Sequence, residues 1–414
     1  MKSSLADMRV KKVISKIARL ALKVLRERFI KLVILPTILL AIVVVVLMAW
    51  PVATLIDLRL MTERVEFVSA AGSPRPILNQ ARAQSVAFMK FGKLLLVPQN
   101  IEVANPNLYS LASDSYPDSA WTRLDTTGRE VTIIGAEDVR NPTVTLEEAN
   151  HGTGNLVHLD SIAANAGSRI ILELVDGTSS SQVDKPSSDG SGTVDVALRI
   201  DQPEIFHTLS LRGSVQLTAD HCQVIGVNSN PYSESASNTY RVSLSSSSPL
   251  VQVTGKDGTV VVIMRLPANE AEQLFYDGVI PATDIKFVQE DAQAQHIGTA
   301  LVKNWENRIV YPGYKKEPVT FSAPDFLELD ERDQMSIKRI TVNPKHKGFE
   351  IDLVGTANHL RVGTSGHSMD LRMSAFDKVW ENKIFAILFA VICWSSGMIL
   401  AVRKAYREVE EKEP

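Results

Sequence analysis

The hydrophobic positions fall into two contrasting patterns. Residues 32–56 and 384–402 form two unbroken apolar stretches without a single charged residue, and each approaches or exceeds the roughly 20 residues that a helix needs to cross a bilayer. Between them the apolar residues come in short alternating runs separated by Gly, Asp, Asn, Ser or Pro, the period expected of half-buried strands. The chain therefore divides into two membrane-spanning helices bracketing a β-rich domain.

The alternation is clearest at Val194, Val196, Leu198 and Ile200. It recurs at Leu209 and Leu211, at Val215 and Leu217, at Phe349, Ile351 and Leu353, and at Leu360 and Val362. Further strands are predicted over residues 64–69, 85–91, 131–134, 169–175, 284–289 and 319–321. Residues 250–254 and 259–266 flank Gly255-Lys256-Asp257-Gly258, which reads as a hairpin turn. Short strands broken by turn residues indicate a sandwich or jelly-roll-like fold. No fixed repeat period runs along the domain, which disfavours a solenoid. Short helices are expected over residues 76–84, 267–276 and 291–307. Met373, Phe376, Val379, Trp380 and Ile384 keep helical spacing, so the second membrane helix is expected to begin outside the bilayer, near Leu371.

Residues 178–192 hold hardly any apolar side chain and read as a Ser/Gly/Asp linker or loop. The expected organisation is a basic tail (1–31), a first transmembrane helix (32–56), an N-terminal β-rich subdomain (57–177), the linker (178–192) and a C-terminal β-rich subdomain (193–371). A juxtamembrane helix continuing into the second span (372–402) and a short tail (403–414) follow.

Charge sets the orientation. The first 31 residues carry ten Lys/Arg against two acids, and Arg403, Lys404 and Arg407 follow the second span directly. By the positive-inside rule both termini are cytoplasmic and residues 57–383 lie outside. Trp50 and Trp380 fall at the expected outer interface as anchors. The basic region is too long for a cleaved signal peptide, so the first span reads as an uncleaved signal-anchor. In the tail, Val10, Val13, Ile14, Ile17, Leu20, Ala21, Val24 and Leu25 repeat every three or four residues. Lys11, Lys12, Lys16, Arg19, Lys23 and Arg26 fall largely between them. This is a basic amphipathic helix suited to an anionic lipid leaflet.

The overall charge of −3 hides a segregation, since residues 57–383 hold 30 Lys/Arg and 41 Asp/Glu. Such an acidic domain is a poor binder of nucleic acid. Of the two cysteines, Cys393 lies in the second span, which leaves Cys222 alone in the outer domain. With no internal disulfide and no glycosylation sequon, a bacterial inner membrane with a periplasmic domain is the expected setting.

No motif specifies a reaction, a metal or a cofactor. His151, His158 and Asp160 are close in sequence but lack metal-ligand spacing. Asp220-His221-Cys222 reads as a strand segment whose side chains diverge. Gly363-Thr364-Ser365-Gly366-His367 lacks a nucleophile-elbow pattern. Asp184 and Asp189 lack a calcium-loop spacing. The best-defined feature is a stripe of small residues in the second span, Ala386, Ala390, Gly397 and Ala401, which suits close helix packing against the first span, a second copy or another membrane protein.

In its two spans, short cytoplasmic ends and large periplasmic domain the chain is similar to chain-length regulators of bacterial polysaccharides. Their ectodomains are largely helical and this one reads as β, so the resemblance is one of topology. A membrane-tethered periplasmic β domain is also similar to lipopolysaccharide-transport accessory proteins, which usually have a single span. The acidic domain argues against binding a phosphorylated glycolipid. The expectation is a non-enzymatic inner-membrane scaffold or accessory subunit that forms a homo-oligomer or joins another membrane protein. The alternative is a periplasmic ligand or stress receptor that signals through its membrane helices to a cytoplasmic partner.

Overall fold

The computed structural model describes residues 35–70, 72, 75–111, 115–126, 130–136, 142–148, 156–175, 193–201, 207–211, 214–228, 237–244, 250–267, 272–290, 296–364 and 367–380, together with residues 390, 394, 397, 401 and 404. Two units emerge. One combines Met1–Ala53 with Arg372–Pro414, and the other is Thr54–Leu371.

The first unit holds helix α1, Leu35–Ala49, and helix α2, Ala375–Trp380. The apolar run 32–56 is divided between two structures. The helix stops at Ala49, and Thr54–Ile56 already belong to a strand. Pro51 explains the stop, because proline lacks the N–H a helix requires and restricts the residue before it to extended backbone. The second helix likewise starts later than Leu371. Ser374 caps it, its Oγ accepting from Asp377 N (3.1 Å) while the Asp377 carboxylate accepts from Ser374 N (3.1 Å), a reciprocal cap of the kind that fixes a helix start. No helix among the described residues is long and apolar enough to cross a membrane. The tail residues Lys11, Lys12, Lys16, Arg19, Lys23 and Arg26, the linker 178–192, His151, Ala386 and most of 384–402 lie outside the described residues.

The second unit is mainly β. In chain order its first strands are β1 Thr54–Thr62, β2 Arg64–Ser69, β3 Arg75–Ala83, β4 Ser85–Met89, β5 Phe91–Leu96, β6 Pro98–Ala104, β7 Trp121–Arg123, β8 Asp125–Thr126, β9 Val131–Gly135 and β10 Thr143–Glu148. Then come β11 Val157–Ala164, β12 Arg169–Val175, β13 Thr193–Asp201, β14 His207–Leu211, β15 Ser214–Asp220, β16 Cys222–Ile225, β17 Val227–Asn228, β18 Ser237–Leu244, β19 Leu250–Gly255 and β20 Thr259–Pro267. The last are β21 Gln273–Lys286, β22 Val288–Glu290, β23 His296–Thr299, β24 Asn307–Val310, β25 Val319–Phe321, β26 Phe326–Leu329, β27 Gln334–Asn343, β28 Gly348–Ala357, β29 Leu360–Thr364 and β30 His367–Asp370.

Sixteen of these strands form one antiparallel sheet, ordered β25-β24-β1-β28-β27-β21-β2-β12-β13-β20-β4-β10-β15-β18-β6-β7. Seven form a second sheet, β16-β9-β5-β19-β14-β11-β3, whose strands contact β20 and β10 of the first and whose edge strand β3 meets β21. The chain repeatedly crosses from one sheet to the other, as in β3 to β4 to β5. Several crossings turn on a left-handed residue: Lys90 (φ 53°) between β4 and β5, His221 (φ 54°) between β15 and β16, and Asp257 (φ 54°) with Gly258 between β19 and β20. The Gly255–Gly258 turn is thus not a hairpin. β19 pairs with β14 and β5, whereas β20 pairs with β13 and β4.

The core follows from the register. Partners directly opposite in neighbouring strands share a face. One row crosses seven strands as Val65, Leu172, Leu198, Val262, Phe88, Val144 and Ala219, all buried. The alternation seen in the sequence is the trace of such rows. Nearer the start of the domain a second row joins Leu58, Leu353, Ile337 and Ile280.

Other expectations are corrected. Residues 76–83 form part of β3 rather than a helix, and Gln84 is the bend before β4. Leu78, Ala81 and Ala83 are buried and pair with β11, so tertiary pairing overrides the helix tolerance of Ala, Asn and Gln. Residues 291–307 are not one helix either. β23 and the first residue of β24 fall within them, and Leu301 bridges to Thr62. In 267–276, Pro267 ends β20 and Gln273 opens β21. β12 and β13, on either side of the 178–192 connection, pair over residues 169–175 and 195–201, and Thr54–Leu371 form one unit.

Candidate functional site

The chain enters the β domain through β1, third in the strand order of the large sheet, and leaves it after β30 of the separate three-stranded sheet β26-β29-β30, where Leu371 N donates to Leu360 O (2.8 Å). In the first unit the two connectors form a clamp. Val52 N donates to Met373 O (3.0 Å), Ala375 N donates to Trp50 O (2.7 Å), and Pro51 bridges Ser374. Trp50 is 64% exposed, and Trp380 is the last residue of α2. Of the small-residue stripe, Ala390, Gly397 and Ala401 are helical and exposed, and a Cβ on Gly397 would meet nothing within 4 Å. The stripe is therefore not shown packed against the first apolar segment.

The exit is latched by Tyr311. Its hydroxyl donates to Leu371 O (2.8 Å) and its ring is buried, with Lys316 Nζ 4.4 Å from the ring centroid. Burial, with the nearby Asp370 charge, pushes the phenol up to about 12.

Beside this latch lies a cleft of about 1160 Å³. One wall is the end of β21 with β22. The other is β26, its following turn and β29. The turn is organised by Asp333, a carboxylate 1% exposed. It accepts from Asp330 N (3.1 Å), Asn358 N (2.6 Å), Asn358 Nδ2 (2.9 Å) and His359 N (3.4 Å). On the β21 wall Lys286 pairs with Asp284 (2.9 Å), and on the β26–β29 wall His359 Nε2 stands 3.5 Å from Glu328 Oε2. The lining mixes both signs of charge and includes Gly363 and Thr364 of the sequence motif near His367. No cluster of His, Cys, Asp or Glu able to hold a metal occurs among the described residues.

At the opposite edge of the large sheet Tyr109, Tyr116 and Trp121 form a chain of edge-on aromatic contacts (5.0 and 5.6 Å). Arg241 covers Trp121 at 4.4 Å and lies 3.6 Å from Asp118. Leu108, Tyr109 and Leu111 in the same loop are exposed, Leu111 to 89%. Exposed aromatics beside arginine are the composition of interface hot spots.

The remaining candidates do not assemble into a site. His221 is the corner between β15 and β16, and Cys222 opens β16 with its Sγ donating to Asp220 O (3.1 Å). Burial, then the Asp220 charge, pushes this thiol up to about 12, which makes it a poor nucleophile. His158 and Asp160 lie in β11. Sequence reasoning missed the latch, the cleft and the aromatic edge. The Pro-Gly pair at 312–313 and the Asp-rich turn at 330–333 mark turns, but nothing local reveals their partners. Comparison with known protein families, with curated proteins and with solved structures found no match.

Proposed function

We propose that this chain is a two-pass bacterial inner-membrane protein whose periplasmic β domain serves, without catalysis, as a scaffold or accessory subunit of an envelope complex. One observation carries the reading. The chain enters at β1, near one end of the large sheet, and Tyr311, just past β24, holds the exit at Leu371, while the exposed aromatic edge stands thirteen strands from β1, a contour of about 60 Å at about 4.8 Å per strand. Such a domain carries a docking edge far from the point at which the chain enters it. The clamp between residues 50–52 and 373–375 supports paired membrane segments. The exposed Ala390, Gly397 and Ala401 suit close packing with a second copy or another membrane protein. The basic tail supports contact with the anionic inner leaflet.

The test is crosslinking in intact membranes, then mild-detergent purification and mass analysis. A defined homo-oligomer or one stoichiometric membrane partner, lost on replacing Tyr109 and Leu111 by Ser, is expected. A monomer with no partner would contradict the reading.

The cleft favours a second reading, a ligand receptor. Its walls include β29 and are joined through β30 to Leu371, so occupancy would act on the strand that leads into α2. A response that survives loss of the Asp333 carboxylate in the folded protein would count against it.

A further inference from the structure

We infer that strand β7 is a pairing edge for a second copy of this chain, the two β7 strands running antiparallel about a two-fold axis at Thr122. This rests on the scaffold reading proposed above and names the partner of its aromatic edge. The register leaves β7 open on one side. It is the last strand of the large sheet and pairs with β6 alone among the described residues. Asn105 N donates to Ala120 O and Leu124 N to Ile101 O, so the main-chain groups of alternate residues, Thr122 among them, turn toward β6. Those of Trp121 and Arg123 turn outward. The Trp121 N–H is used by Asp118 O in the turn before the strand. The Trp121 C=O and both main-chain groups of Arg123 have no hydrogen-bond partner among the described residues. β8 leaves this line to pair with β17, which ends the open edge. An unpaired edge of this kind is a template for a strand of another chain.

The side chains make the edge self-complementary. Trp121 and Arg123 stand on one face of β7, Trp121 half-buried and Arg123 exposed, with no ion pair at Arg123 among the described residues. Pairing about Thr122 sets Arg123 of each copy opposite Trp121 of the other, on the same face. Asp118 lies on that face too, because Arg241 reaches both its carboxylate (3.6 Å) and the Trp121 ring (4.4 Å). The Asp118 side chain is 97% exposed. Each Arg123 is thereby brought to a carboxylate of the other copy, twice over by symmetry. Glu102, directly opposite Arg123 on β6, is engaged by Asn100 Nδ2 (3.3 Å) and Arg241 (4.0 Å). Arg123 and Arg241 balance Asp118 and Glu102, so the contact carries no excess charge and what matters is their order along the edge. The main chain supplies only two hydrogen bonds, from each Arg123 N–H to the Trp121 C=O of the other copy. The exposed Leu108, Tyr109 and Leu111 of the preceding loop supply apolar area beside them.

The experiment uses the full chain in mild detergent, with Cys222→Ser, Cys393→Ser and Thr122→Cys. Thr122 would face its own copy at a non-hydrogen-bonded pair, where side chains come closest and a disulfide can close. The control thiol is Lys345→Cys, in the exposed turn between β27 and β28. Circular dichroism confirms that each variant is folded. Copper-phenanthroline oxidation is expected to link the Thr122→Cys chains several-fold more than the Lys345→Cys chains. Arg123→Asp and Asp118→Arg, each alone, place like charges together and should cut the 122 link by roughly tenfold. Mixing these two variants before oxidation should restore it, since each then meets an opposite charge on the other. Linking at 122 no greater than at 345, or a mixture no better linked than either variant alone, overturns the edge pairing. If the wild-type chain still forms a defined oligomer or holds one stoichiometric membrane partner, the scaffold reading stands without it. A monomer with no partner overturns both.

Discussion

The distal and proximal regions of the large sheet are stabilised differently. In the distal region, from β12 to β6, the core is apolar, and strands of the second sheet lie against β20 and β10. Rows such as Leu198–Val262–Phe88–Val144 run across neighbouring strands with every member buried. In the proximal region, from β24 to β2, polar groups are drawn inside. Glu350 is buried between Arg59 and Arg339, and Glu66 between Arg169 and Arg64. Asn307 accepts from Met61 N (2.9 Å) and donates to Phe321 O (3.3 Å). Apolar burial stabilises without direction, whereas buried polar groups stabilise only in one geometry and are costly when a partner is lost. The distal region extends the sheet away from β1. The proximal region holds the latch, the cleft and both ends of the domain in fixed positions.

Breaking the distal side should have the largest effect. Phe88→Ala opens a cavity in the seven-strand row and is expected to destabilise the domain by about 3–5 kcal/mol, read from denaturant unfolding. A cost near that of a surface substitution would mean that the two sheets are not packed as described. On the proximal side, Asp333→Ala leaves backbone N–H groups of Asp330, Asn358 and His359 without their acceptor. The expected cost is about 1–3 kcal/mol, the penalty for unsatisfied buried groups. Hydrogen exchange should quicken at those amides before it does in β20.

Tyr311→Phe sharpens the comparison further, since it keeps the ring and removes one hydrogen bond. A loss of about 0.5–1.5 kcal/mol is expected. The pH dependence has a definite sign. The folded-state pKa, about 12, lies above the ordinary value of 10.0. The neutral phenol therefore contributes fully below pH 10, and its contribution is lost as pH rises toward 12. Wild type should lose stability in that window, and Tyr311→Phe should lack that share of the loss. The smallest effect is kinetic. With its thiol held near 12 rather than 9.0, Cys222 should react with a disulfide reagent at pH 8 roughly 30-fold more slowly than a free thiol, reduced thiolate outweighing higher intrinsic nucleophilicity. Equal rates in folded and unfolded chains would mean that the fold does not shield the Cys222 thiol.

The same contrast explains what was legible in the sequence. Alternation located β12 and β25 to the residue, and β13 and β20 nearly so, because each strand places one face on apolar neighbours. It failed at residues 76–84, where small and amide side chains carry little pattern and β11 decides the conformation. It also mistook the Gly255–Gly258 turn for a hairpin, since a turn sequence does not say which sheet receives the next strand. The proximal contacts join residues far apart, such as Tyr311 with Leu371, Asp284 with Glu331, and Arg59 with Glu350. No local pattern records such pairs. Trp50 and Trp380 stood out as expected interface anchors by their position beside apolar stretches, and the backbone clamp between residues 50–52 and 373–375 did not.

The measurement that bears most directly on the account is the topology of the full chain in right-side-out and inverted membrane vesicles. Protease is added to each, with epitopes at both termini and in the 178–192 segment. The account predicts cleavage at 178–192 only in right-side-out vesicles, loss of both terminal epitopes only in inverted ones, and a chain resistant to carbonate. Cleavage at 178–192 in inverted vesicles, or release of the chain by carbonate, would contradict it.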